Sequence, residues 1–233
     1  MKKTVVIHQP DFLPYLGFFH RLLHADLYVV LDHVQFVSST SRSWTNRDKI
    51  KTPKGEKWLT VSVCKCPRDT PINRVLLSDT VDWRANNLNL LYQHYREAPY
   101  FKEIHPHLER LYEAEFRYLS EFTKASIDLL CELLGIDIDM VLSSDLGCQG
   151  QKNELLVDIL QRVGATTYLS GVGARAYFDP APFERAGIEV IWQEFRHPVY
   201  SQPYGEFIPN LSSIDLLYNE GIDGARRILR EAK

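Results

Sequence analysis

The chain has 233 residues, 45% hydrophobic and 24% charged, with 12 glycines and 12 prolines, a composition that supports a buried core and excludes a disordered or collagen-like chain. Its formal charge of -3 supplies no general attraction to nucleic acid or to an anionic bilayer, and no segment approaches the ~18 consecutive apolar residues of a membrane span. The apolar run near the N-terminus is too short for a secretory signal, so a cytoplasmic protein with no nucleic-acid partner is expected.

Thr4 to Ile7 form a short β-branched run that stops at His8-Gln9-Pro10-Asp11, where proline ends regular structure and leaves His8 and Gln9 at the carboxyl end of a strand. Leu16, Phe19, Leu22 and Leu23 then recur near helical spacing, and the run from Leu27 to Leu31 resumes a buried strand that ends in Asp32-His33-Val34-Gln35. Two parallel strands joined by a right-handed crossover present their carboxyl ends on one edge, so His8, Gln9, Asp32 and Gln35 are expected to share a crevice. His8 is the candidate general base and Asp32 the carboxylate that orients it, while Gln9 and Gln35 offer amides for a polar ligand. Asp11 is expected to cap the following helix at the edge of the substrate site. His20 and His24 share a helix face but lack the intervening glutamate of a metalloprotease motif, so they are expected to be ordinary histidines.

Residues 37 to 56 read as a long polar loop in which Arg42, Trp44, Asn46 and Arg47 combine cationic forks with a flat aromatic face, a group suited to a phosphorylated or nucleotide-linked substrate. Strand patterns follow over 57 to 63 and 72 to 77. Cys64 and Cys66, one residue apart in the extended stretch that follows the first of these, share a face, but with no second pair or nearby histidine cluster the expectation is no metal site, and Cys131 and Cys148 complete a set too scattered for a disulfide framework. Helical patterns over about 83 to 97, 102 to 113 and 115 to 134 make a mid-chain helical block. Strands are expected at 140 to 143, 167 to 170 and 189 to 193, with helices at 152 to 163 and 182 to 186 between them and final helices from Ser213 and after Gly221. The loop Ser170-Gly171-Val172-Gly173 lets backbone amides approach an anion, although it lacks the third glycine of the dinucleotide fingerprint, and neither a Walker lysine nor a nucleophile elbow occurs. Tyr177, His197, Tyr200 and Gln202 carry polar tips that suit carbohydrate.

These patterns predict an α/β fold with a mostly parallel, Rossmann-like sheet. A single domain is expected over 1–233, with 83–134 a helical insertion between its N-terminal and C-terminal βαβ parts.

The blocks IHQPDFLPYLGFF, LYVVLDHVQF, WTNRDKIKTPKGEKWLTVSV, YLSGVGARAY and HPVYSQPYGEFIPNLSSIDLLYNEG, in this order from about residue 4 to 221, together resemble the WbqC-like family. Its members are associated with bacterial surface-polysaccharide and glycolipid gene clusters. The resemblance implies an enzyme of O-antigen or glycoconjugate biosynthesis, and the expectation is a transferase that moves an acyl or aminoacyl group from an acyl donor or carrier protein to a nucleotide-linked amino sugar. No particular cofactor follows from it. A strand ending in His-Gln-Pro, a helix with His20 and a strand rising to Asp32 also resemble, topologically, the opening of the HIGH-type nucleotidylyltransferases. That likeness implies an ATP-using alternative, beside a non-catalytic sugar-binding accessory protein.

Overall fold

The computed structural model describes residues 2–37 and 43–232. Five strands form one parallel sheet: β1 (Thr4–His8), β2 (Leu27–Val30), β5 (Asp139–Leu142), β6 (Thr167–Ser170) and β7 (Glu189–Trp192). Their order is β5-β2-β1-β6-β7, so the chain first builds outward on one side of β1 and then returns to its other side. A separate antiparallel hairpin, β3 (Arg47–Thr52) and β4 (Gly55–Thr60), lies apart from that sheet. The fold is α/β and Rossmann-like, as the sequence predicts.

Alternation along the strands covers both faces. Val6, Tyr28 and Val30 enter one apolar cluster with α1 (Leu16–Leu22), α4 (Leu119–Leu134) and α7 (Ser213–Glu231), whereas Val5, Ile7, Leu27 and Val29 enter a second with α5 (Lys152–Arg162) and α6 (Ala181–Arg185). Between the hairpin and β5 the chain forms α2 (Trp83–Tyr95), α3 (Phe101–Glu113) and α4, and residues of all three join the first cluster. α7 bends at Gly221, whose φ of 69° is left-handed; the Tyr100 ring lies 2.6 Å from where a Cβ would stand.

Two predicted elements differ. The segment read as a loop contains β3, hidden because Arg47, Asp48, Lys49 and Lys51 break the apolar alternation of RDKIKT. The strand expected at 72 to 77 is a 3₁₀ turn, Ile72–Arg74, followed by single bridges at Leu76 and Leu77.

Candidate functional site

β1 pairs with β2 through to His8, which lies beside Val30, but its pairing with β6 stops at Val5 and Tyr168. β1 and β6 are therefore unzipped toward their carboxyl ends, at the position where the strand order reverses, and a cavity of about 800 Å³ opens there. Ile7 and His8 of β1 and the following Gln9 line it on one side, and Tyr168 and Ser170 of β6 and the following Gly171 and Gly173 on the other. Asp11 and Tyr15 come from the turn before α1, and Trp44 and Asp48 from the start of the hairpin.

His8 Nδ1 lies 2.9 Å from the Gln9 carbonyl oxygen, which can only accept, so Nδ1 carries the hydrogen and Nε2 the lone pair. Burial, reinforced by the Arg21 charge, lowers the imidazole to about 3 and keeps it neutral. The Asp11 carboxyl is 3.6 Å from the same Nδ1. Burial raises Asp11 to about 7 against the opposing pull of Arg21, so it exchanges its proton near neutral pH. Asp48 is 2% exposed and is also raised well above the usual carboxylate range, chiefly by burial.

Arg21 has no counterpart among the sequence candidates. It sits in the LGFFHRL helix, every residue of which is buried, and is itself 5% exposed and lines the cavity. A charged residue in an otherwise apolar short helix is the signal that could have marked it. Tyr15, Asp48 and the buried Gln193 were missed too. Gln193 donates through Nε2 to the Gly17 carbonyl 2.8 Å away and so ties α1 to the end of β7.

Several expected site residues lie elsewhere. Asp32 does not orient His8: its carboxylate accepts from Ser143 Oγ at 2.9 Å, Ser144 N at 2.9 Å, Ser144 Oγ at 2.7 Å and Asn73 Nδ2 at 3.2 Å, which anchors the turn after β5. It is 2% exposed and does not line the cavity. The residues after β2 turn away, and Gln35 donates to the Arg68 carbonyl at 2.7 Å. Asp11 does not cap α1, whose N-cap is Tyr15 with no side-chain bond. Asn46 donates to the Val61 carbonyl and joins hairpin to neighbouring chain, while the Arg47 guanidinium lies 4.2 Å over the Trp58 ring.

Tyr177 is 72% exposed, and His197 bonds the Pro198 carbonyl beside Phe195 and Phe207; neither lines the cavity. Tyr200 and Gln202 belong to a buried network instead. Asp215 accepts from Tyr95 at 2.6 Å, Tyr200 at 2.8 Å and Gln202 at 2.8 Å, and Gln202 Oε1 accepts from Lys51 Nζ at 3.1 Å. Arg42 lies outside the described residues. No group of three or more His, Cys, Asp or Glu among the described residues forms a metal cage, and no helix there is long and apolar enough to cross a membrane.

A protein described as "Uncharacterized protein Rv1507c" from Mycobacterium tuberculosis (strain ATCC 25618 / H37Rv) is 33% identical over 225 residues, which covers 96% of each chain. No solved structure matches. The profile of the WbqC-like protein family matches residues 9–227, a span that holds nearly every cavity residue from Gln9 to Asn210. With that coverage and that relative, the chain belongs to the WbqC-like protein family.

Proposed function

We propose that the cavity between β1 and β6 is the active site of a transferase of bacterial surface-polysaccharide or glycoconjugate biosynthesis, which moves an acyl or aminoacyl group onto the amine of a nucleotide-linked sugar. The observation that supports it is a carboxyl held near 7, Asp11, beside a neutral imidazole in a roomy pocket at the topological switch point. The sequence makes His8 the base, but at about 3 its proton affinity is too low to take an ammonium-type proton, so that role passes to Asp11.

In the step, the amine nitrogen forms a bond to the acyl carbonyl carbon and the donor's bond to that carbon breaks, its electron pair leaving with the donor. The nitrogen's surplus proton moves to the Asp11 carboxylate, and His8 Nε2 accepts a hydrogen bond from the amine. Trp44, half-buried at the cavity, offers a ring face to the base of the nucleotide.

Turnover of a nucleotide-linked amino sugar with an acyl thioester tests this reading. Asp11→Asn is expected to lower kcat by ~10²-fold or more, and the parent's kcat to rise with pH through about 7 as Asp11 loses its proton. Unchanged kcat in a folded Asp11→Asn protein would end the proposal. Release of pyrophosphate from ATP and Mg²⁺ would select nucleotidyl transfer instead.

A further inference from the structure

Arg21 is a cation that the protein itself does not neutralise. Its side chain is buried, and among the described residues it makes no ion pair and no hydrogen bond; its Nε is sealed from solvent without a partner. What it does touch is uncharged. The guanidinium carbon lies 5.8 Å from the Phe18 ring centre, and Nη1 packs so closely under Gly171 that a Cβ there would stand 2.6 Å from it. A Cβ at 171 would therefore push this end of the guanidinium from its place. Holding a guanidinium with a buried, unpartnered Nε is costly, and the cavity it lines is the route by which an anion can reach its other nitrogens.

We infer, resting on the reading of this cavity as the substrate site, that Arg21 and the Gly171–Gly173 turn form a subsite for a phosphoryl group of the substrate. Arg21 supplies the paired N–H donors, Gly171 leaves room for Nη1 beside the turn, and Tyr15, which lines the same cavity, carries a hydroxyl that is a further donor for a third oxygen. A phosphoryl group brings three oxygens in tetrahedral array and up to two negative charges to these donors, more charge than a carboxylate supplies. Of the neighbouring groups His8 is neutral and Asp48 is driven toward its protonated form, while Asp11, whose carboxyl feels the pull of Arg21, makes no ion pair with it. The subsite binds the nucleotide or sugar phosphate, whereas Asp11 handles the proton. The anion is thus held on α1 and β6 rather than by Arg47, which is engaged with Trp58.

The test is binding of inorganic pyrophosphate, with sodium acetate and sodium chloride at matched ionic strength as controls, read as the melting temperature of the full chain and by calorimetric titration. The parent is expected to respond saturably to pyrophosphate and not to acetate. Arg21→Met keeps the apolar stem and is expected to weaken pyrophosphate at least about tenfold, while melting no lower than the parent in ligand-free buffer, because it removes an unpaired buried charge. Gly171→Ala, which leaves Arg21 present but displaced, is expected to lose the response as well. Asp11→Asn is expected to keep the response while losing turnover, which separates this subsite from the proton-transfer step. Equal pyrophosphate binding in the parent and Arg21→Met, an equal response to acetate, no saturable response in the parent, or a response lost equally in Asp11→Asn would each overturn the assignment.

Discussion

Two side chains 3.6 Å apart are shifted in opposite directions by the same burial, because burial favours the neutral form of each. The consequences for stability have opposite signs. Asp11 holds its proton to about 7 when folded and to about 4 when unfolded, so the folded state binds more protons across that window and stability falls as pH rises through it. His8 loses its proton near 3 when folded and near 6.5 when unfolded, so its contribution rises with pH between those values. In the parent the two nearly cancel between pH 4 and 6.5. His8→Gln is expected to expose the falling slope and Asp11→Asn the rising one, each about 1 kcal/mol per pH unit in urea unfolding relative to the parent. Slopes of the same sign in both variants would contradict the assignment. Asp32→Ala, which strands Ser143, Ser144 and Asn73, is expected to cost ~2–4 kcal/mol of stability yet leave the pH profile of turnover unshifted. That His8, Gln9 and the Ser170–Gly173 turn stand beside the cavity was legible because a strand end followed by proline or glycine marks the edge of a parallel sheet, whereas Trp44 stood out only as an aromatic in a cationic loop. Asp32 was misread for the same reason. It too follows a strand, but its neighbours in space, Ser143 and Ser144, come from 111 and 112 residues away and leave no local trace.

At the scale of elements, the parallel strands and their crossover helices were legible nearly residue by residue, since β-branched runs bounded by turns give a strong period. β3 was not, because a hairpin whose side chains serve buried polar networks does not alternate apolar with polar. Lys51 of β3 is fully buried yet reaches Gln202 and the Glu206 carbonyl, and through Gln202 the Asp215 network fastens the segment after β7 onto α2 and α7. Tyr200 and Gln202 therefore act as ties. Asp215→Ala leaves the Tyr95 and Tyr200 hydroxyls without an acceptor, Gln202 Nε2 keeping the Ile208 carbonyl, and is expected to lower unfolding free energy by ~3 kcal/mol or more, measured by denaturant titration. A loss below ~1 kcal/mol would mean the network relaxes onto water.

Across the whole molecule, the strand order decides where chemistry can occur, and order was the least legible feature. Each βαβ unit is visible in the sequence, but nothing in it states that β6 returns to the far side of β1, which is what opens the cavity between them and brings residue 8 beside residue 170. The mid-chain helices share an apolar cluster with the sheet, so a single unfolding transition is expected, with near-ultraviolet and far-ultraviolet dichroism coinciding. Two separated transitions would divide the helical block from the sheet. The account as a whole depends on a proton that Asp11 exchanges at neutral pH inside that cavity. Carbon-13 titration of the side-chain carboxyls, with the Asp11 signal identified by its absence in Asp11→Asn, measures this without any substrate. A midpoint near 7 is predicted, and a midpoint near 4 would contradict it.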